Sequence, residues 1–119
     1  MIGVRTLGYL NVQRQKDAKI LFKGSRYAAA VYLMGYAIEH ALKRRICQNV
    51  GFDDGFPELK SEFGNYSSQV AVFNASNAGL QLTQLRQIKN HNLRELLHFS
   101  GIDKIFLENY YGDWAIVSD

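Results

Sequence analysis

An uninterrupted helical pattern over residues 25–48 constrains this chain more than any other feature. Apolar or small residues recur there at steps of three and four, with no proline among them: Ala28, Val31, Tyr32, Gly35, Ile38, Leu42 and Ile46. This spacing places them along one side of an α-helix. Ser25 is a residue type that caps helix N-termini, and Gly51 is suited to a C-terminal cap. The sequence therefore predicts a long helix over residues 25–49.

A second amphipathic segment, residues 7–23, comes directly before the long helix. Its apolar positions again follow helical spacing, and its link to the next helix is only a few residues around Gly24 and Ser25. A link this short predicts that the two helices pack side by side and antiparallel. The chain has 119 residues, of which 47% are hydrophobic and 21% charged, as in a single globular domain. We therefore expect one all-α domain over residues 1–119, an up-and-down antiparallel bundle of four to five helices.

The remainder of the chain has weaker patterns. Pro57 could open a short helix that runs through Phe63, because proline is tolerated in a first helical turn. Residues 67–73 alternate weakly, which is compatible with an extended segment or with a short helix of unclear pattern. Helical periodicity returns over residues 80–89, and further short helices are predicted over residues 93–99 and 104–111.

Several function classes are disfavoured by composition. The single cysteine, Cys47, cannot form an internal disulfide, and its place near the apolar stripe predicts a core residue. His40 and His98 have no metal-ligand spacing with each other or with Cys47, so we expect no metal and no cofactor. The sequence has neither a signal peptide at its start nor an apolar run of membrane-spanning length. The default expectation is a cytoplasmic protein that does not enter a membrane.

Two segments, about half of the chain together, resemble prokaryotic HEPN domains. The first runs from Asp17 to Lys43 and contains Ala30-Val31-Tyr32-Leu33-Met34-Gly35-Tyr36-Ala37-Ile38-Glu39; the second comprises Asn90-His91-Asn92-Leu93, Leu96-Leu97 and Ser100-Gly101-Ile102. The resemblance implies a HEPN-like helical bundle, a homodimer, and a role in which such domains bind RNA or nucleotides or pair with a nucleotidyltransferase partner. Relatives usually continue beyond the tryptophan with another helix, so this chain is expected to lack the family's last helix.

Arg86 and His91 are the candidate catalytic pair. HEPN ribonucleases use an arginine, four to six residues, and a histidine, and here four residues separate the two. An arginine can clamp the scissile phosphate, while a histidine can transfer the proton of the 2′-hydroxyl. On a continuous helix these side chains would point about 140° apart, so they can converge only if the helix breaks near Asn90. We expect His91 at a helix start, with its ring directed away from Arg86.

The candidate ligand-binding residues belong to the long helix and its approach. Residues 1–50 contain nine Lys and Arg but only two Asp and Glu, a basic balance that suits an anionic ligand. Tyrosines next to cations can stack on bases. The candidate residues are therefore Arg26, Tyr27, Tyr36, Lys43 and Arg44, together with Glu39, the expected ion-pair partner of Lys43. In the alternative interpretation the tyrosines line a helix interface and Glu39 and Lys43 form a solvated ion pair. Gly35, inside a helix, predicts a close packing neighbour.

Three functions remain open from the sequence. The first is a non-catalytic HEPN-type module that binds a nucleotide or RNA, or pairs with a nucleotidyltransferase protein. The second is a metal-independent ribonuclease, of toxin or defence type, built from Arg86 and His91 across a dimer. The third is a purely structural helical dimer. A homodimer is expected because the long helix carries more apolar and aromatic surface than the short helices can cover.

Overall fold

The structure is a computed structural model that describes residues 1–101, and these residues form an all-α bundle. Its helices are α1 (Val4–Lys23), α2 (Tyr27–Val50), α3 (Lys60–Asn65), α4 (Ser67–Ser76) and α5 (Leu93–Ser100), with a single 3-10 turn at Leu85–Gln87. Residues 1–101 contain no β-strand, only an isolated backbone pair between Ile2 and Phe56. The predicted all-α bundle of four to five helices is therefore confirmed. The helix predicted over residues 104–111 lies outside the described residues.

The two long helices form the predicted antiparallel hairpin, but their connection differs from the prediction. Ser25 is not the N-cap of α2. It lies in the turn with φ of 62°, and Arg26 occupies the cap position. A residue in the left-handed region helps the chain reverse within so few residues, and here the serine adopts that conformation. The Arg26 backbone N–H closes the turn by donating to the Leu21 carbonyl at 2.8 Å.

The predicted C-terminal cap of α2 is confirmed. Gly51 has φ of 96°, a left-handed conformation that glycine adopts without steric cost, and its N–H donates to the Cys47 carbonyl at 3.0 Å. Asp53 and Asp54 follow in a turn, so the helix ends where the sequence indicates.

The hydrophobic core surrounds the C-terminal half of α2. Helices α4 and α5 both pack against α2, and the side chains that are least exposed there are Leu7, Ile46, Phe52, Phe56, Leu82, Ile88 and Leu96. Cys47 is buried in this core, as predicted, and burial raises the pKa of its thiol to about 12. The N-terminal half of α2, in contrast, leaves Tyr27, Val31 and Tyr32 exposed.

The segment over residues 67–73 is helical, so of the two alternatives left open by the sequence, the extended segment is wrong and the short helix is right. Val70 and Phe73 are buried three residues apart, and this is helical spacing. Just before it, α3 begins at Lys60 and not at Pro57. The Glu62 carboxylate accepts the backbone N–H groups of Glu58 and Leu59, each at 3.0 Å, and so fixes the helix start later in the chain.

The helix predicted over residues 80–89 is also wrong. Only Leu85–Gln87 form a turn, and the preceding residues are irregular. Two side chains satisfy the backbone there in place of helical hydrogen bonds. Asn74 Oδ1 accepts the Leu82 N–H at 2.7 Å, and Gln87 Oε1 accepts the N–H groups of Thr83 and Gln84 at 2.7 and 2.8 Å.

Candidate functional site

Glu39 and Lys43 form a buried ion pair on α2. Their residues are 5% and 8% exposed, and Lys43 Nζ lies 2.9 Å from Glu39 Oε1. The pairing four residues apart matches the sequence, but the predicted solvation does not. Phe56, which follows α2 in the chain, covers the lysine, and Nζ lies 5.3 Å from the centre of the Phe56 ring. A charge pair in such surroundings is much more costly to break than a surface pair.

The third member of this group is His91, which comes from the segment before α5. Asn92 is the N-cap of α5, and its side chain accepts two backbone N–H groups of the first turn. Asn90 braces the same segment by accepting the Asn92 N–H at 2.8 Å. This turn brings His91 Nδ1 to 2.9 Å from both carboxylate oxygens of Glu39, while 77% of the side chain remains exposed. A carboxylate at Nδ1 favours a proton on that nitrogen and leaves Nε2 for other partners.

The electrostatics of this group keep Glu39 ionised at neutral pH. Burial by itself raises the pKa of the Glu39 carboxyl, but the hydrogen bonds with Lys43 and His91 outweigh burial and hold that pKa below its ordinary value. His40, the next residue along α2, responds in the opposite way to its surroundings. Burial lowers the pKa of His40, and its Nδ1 is buried without a hydrogen-bond partner among the described residues.

A groove of about 390 Å³ opens beside Glu39 and His91. We call it the tyrosine groove; it is lined by Val31, Tyr32, Gly35, Tyr36, Glu39, His91 and Leu93. The Tyr32 hydroxyl donates to the Tyr36 hydroxyl at 3.0 Å, and their rings meet edge to face with centres 4.9 Å apart. The Tyr36 ring also lies 6.1 Å from the His91 ring. The hydrogen bond with Tyr32 raises the pKa of Tyr36, so its phenol stays protonated.

Gly35 lies in this groove without the close neighbour that the sequence predicts. A Cβ atom built on Gly35 would meet no heavy atom within 4 Å. The expectation of a packing neighbour is therefore wrong for residues 1–101. Glycine inside a helix costs about 1 kcal/mol relative to alanine, and no contact among the described residues explains this cost. The absence of a side chain instead leaves the groove open at this position.

The six predicted ligand-binding residues lie in three separate places in the structure. Tyr36, Glu39 and Lys43 lie together around His91. Arg26 and Tyr27 lie at the hairpin turn, where the Tyr27 ring packs on Phe22 with centres 5.2 Å apart. Arg44 lies near the other end of α2, with its guanidinium beside Gly8 of α1. At 1.5 Å per residue, Arg26 and Arg44 are about 27 Å apart along the helix, so these six residues do not form one cluster.

Arg86 and His91 line different grooves. Arg86 lies in the 3-10 turn, donates from Nε to Gln84 Oε1, and borders a groove with Lys60 and Lys89. His91 borders the tyrosine groove, just before the N-cap of α5, as the sequence predicts. The helix does not continue from one residue to the other. Within one chain, the two candidate catalytic side chains therefore do not face the same groove.

The contact between Glu39 and His91 was missed by sequence reasoning, although both residues were candidates for separate reasons. They lie 52 positions apart, so no periodic pattern connects them. The available signal was the broken helix at Asn90-His91-Asn92, which indicates that His91 can point back toward α2.

Comparisons with known proteins identify no relative of this chain. No protein-family model, curated protein or solved structure matches this chain.

In the part of the chain that the structure describes, no helix is both long and apolar enough to cross a membrane. Within residues 1–101, no group of three or more His, Cys, Asp or Glu side chains is arranged to hold a metal ion.

Proposed function

We propose that this chain is a non-catalytic HEPN-type binding module, and that its tyrosine groove receives a base of single-stranded RNA. One observation carries this proposal: the exposed His91 ring, fixed at Nδ1 by Glu39, lies beside Tyr36 in a groove that Gly35 leaves open. Rings held in place next to an open helix face are suited to bind a flat ligand, because their orientation is set before the ligand arrives.

The groove offers both stacking and hydrogen bonding. Tyr32 and Tyr36 supply aromatic faces, and stacking on such rings contributes about 1–3 kcal/mol per base. The Tyr32 hydroxyl and the His91 Nε2 atom supply polar contacts for the edge of a base. The buried Glu39–Lys43 pair then acts as a support that orients His91, and is not the ligand contact that the sequence suggested.

The charge distribution favours RNA over a free nucleotide. Seven cations of the α1–α2 hairpin are exposed: Arg5, Lys16, Lys19, Lys23, Arg26, Arg44 and Arg45. Because they are spread over both helices, they attract a polyanion but do not form a clamp for a single phosphate. Binding should therefore strengthen with RNA length and weaken as salt increases.

A homodimer is part of this proposal. The hairpin exposes large apolar side chains outside the tyrosine groove, with Ile20 68% and Phe22 63% exposed. Between its helices lies an apolar groove of about 300 Å³ that includes Ala30 and Met34. A surface of this kind is costly in water, and a second copy or a nucleotidyltransferase-type partner would cover it. Light scattering that gives only a 13.6 kDa monomer at high concentration would contradict the homodimer.

A metal-independent ribonuclease is the second candidate, because one observation favours it. A histidine with a carboxylate at Nδ1 and an exposed Nε2 has the arrangement of a general base. Arg86 lies in another groove, however, so the cation that stabilises the phosphate would have to come from a second copy. The binding module needs no such contribution, and we therefore place it first.

Two measurements test the proposed function. Fluorescence anisotropy with labelled oligouridine should show binding that Tyr36→Ala weakens about tenfold through lost stacking. Tyr36→Phe, which keeps the ring, is the matched control and should bind within about twofold of the wild type. Incubation of total RNA with the wild type should leave the RNA intact. Cleavage that disappears in His91→Ala would establish the ribonuclease instead, and wild-type protein that binds no RNA would refute both.

A further inference from the structure

The groove that Arg86 borders is larger than the tyrosine groove and has different chemistry. It has a volume of about 880 Å³ and lies between α3 and the segment around the 3-10 turn. We call it the basic groove; it is lined by Glu58, Leu59, Lys60, Phe63, Thr83, Gln84, Leu85, Arg86 and Lys89. The proposed RNA-binding module does not use this surface.

An apolar side chain is exposed in the basic groove. Leu59 is 60% exposed, and the neighbouring Phe63 is half-buried against the core. Burial of a leucine side chain contributes about 1.5–3 kcal/mol relative to leaving it exposed. A partner that places an apolar side chain on Leu59 would recover part of this energy.

Three cations border the same groove, and their charges are not neutralised within the described chain. Lys60 has no ion-pair partner among residues 1–101, and Arg86 donates from Nε to the neutral Gln84 side chain, which leaves its Nη atoms available. Lys89 Nζ donates to the backbone carbonyl of Glu58 at 2.8 Å, which positions the lysine but adds no negative charge.

The one carboxylate of the basic groove is already paired. Glu58 Oε1 lies 3.2 Å from the N-terminal ammonium group of Met1. That ammonium group also contacts the Glu62 carboxylate at 3.1 Å. Two carboxylates share this one ammonium group, so Glu58 still carries some uncompensated negative charge. The Met1 ammonium group, Lys60, Arg86 and Lys89 nevertheless outnumber the Glu58 and Glu62 carboxylates by two, and the basic groove keeps a positive balance.

We propose that the basic groove binds an acidic peptide segment of a protein partner. An apolar side chain of that segment would pack on Leu59 and Phe63, and its carboxylates would pair with Lys60, Arg86 and Lys89. Arginine suits this role because its planar group can hold a carboxylate with two hydrogen bonds. A nucleic acid fits less well, because the most exposed apolar group is the aliphatic Leu59, on which a base does not stack.

Peptide binding tests this assignment. The probe is a short fluorescein-labelled peptide in which Asp and Glu alternate with Leu and Phe, and its matched control replaces every acidic residue with lysine. We expect the acidic peptide to bind and the basic control not to bind. The double variant Arg86→Glu with Lys89→Glu should weaken binding about tenfold or more by charge reversal. Lys16→Glu with Lys19→Glu makes the same charge change on α1 and should alter binding less than about threefold.

A second readout locates the peptide on the surface. Acetylation by a water-soluble ester, followed by mass spectrometry, should show that the acidic peptide protects Lys60 and Lys89 but not Lys16. Leu59→Ala should weaken peptide binding without lowering the melting temperature, because the side chain is largely exposed. Equal sensitivity to both double variants, protection of all lysines alike, or tighter binding of oligouridine at these same lysines would overturn the proposal.

Discussion

Gly35→Ala should make the protein more stable and its RNA binding weaker. A Cβ atom at this position meets nothing within 4 Å, so the new methyl group fits the folded chain without strain. Alanine is favoured over glycine in a helix interior by about 1 kcal/mol. For a domain of this size, that gain corresponds to a melting temperature about 3–6 °C higher.

The same methyl group would lie in the tyrosine groove, which Gly35 lines together with Tyr32 and Tyr36. A base that approaches the helix backbone there would clash with the methyl group or be displaced from it. Such overpacking costs about 1 kcal/mol or more, which corresponds to binding about fivefold weaker or worse. Thermal unfolding followed by circular dichroism measures the first effect, and anisotropy with oligouridine measures the second.

Gly64→Ala provides the matched control. Gly64 also lies in a helix, α3, and a Cβ atom there would likewise meet nothing within 4 Å, but the residue does not line the tyrosine groove. It should raise stability, by less than Gly35→Ala because α3 is short, and leave RNA binding unchanged. If Gly35→Ala binds RNA as tightly as the wild type, no ligand approaches α2 at this point and the reasoning fails.

Two further predictions concern stability. Lys43→Met should lower the free energy of unfolding by about 2–4 kcal/mol, because it leaves the buried Glu39 carboxylate with only His91 as partner. Combining it with Glu39→Gln should recover part of this loss in urea denaturation; no recovery would argue against a buried charge as the cause. Folding lowers the pKa of His40 below its ordinary value of 6.5, so the unfolded state binds the proton more readily and stability falls as the pH drops below about 6.5. His40→Phe should flatten this part of the pH profile, and an unchanged profile would assign the effect to other groups.

Helix α2 was predictable because its signal is long and repeated. Apolar positions recur over about five turns, and Gly51 marks the end with a conformation that few other residues tolerate. The start of α2 was less predictable. Ser25 is chemically suited to an N-cap, but the geometry of the reversal after α1 places it in the turn with positive φ. The tight connection between two packed helices overrode the local preference of one residue.

Residues 67–89 were harder to predict because tertiary contacts decide their conformation. Val70 and Phe73 indicate a helix only once their common burial against α2 and α5 is known. Leu82 and Leu85 are core residues at helical spacing, yet the backbone between them is satisfied by the side chains of Asn74 and Gln87. A side chain eight residues away in sequence can replace a helical hydrogen bond, and no local pattern reveals that it does.

Only part of the candidate site could be predicted from the sequence. The Glu39–Lys43 pair follows from a spacing of four residues on a helix. Its burial depends on Phe56, and its third member, His91, comes from a turn 52 residues away. These contacts exist only after the chain has folded. The pair is therefore buried and not solvated, and its Glu39 carboxylate holds the exposed His91 ring.

The central claim is that the tyrosine groove binds RNA, and a nuclear magnetic resonance titration tests it most directly. Oligouridine added to ¹⁵N-labelled protein should shift the backbone amide signals of Gly35, Tyr36 and His91 most, with much smaller shifts at Lys60 and Lys89. The claim would be contradicted if no signal around Gly35 moved at saturating oligouridine, or if the largest shifts lay in the basic groove.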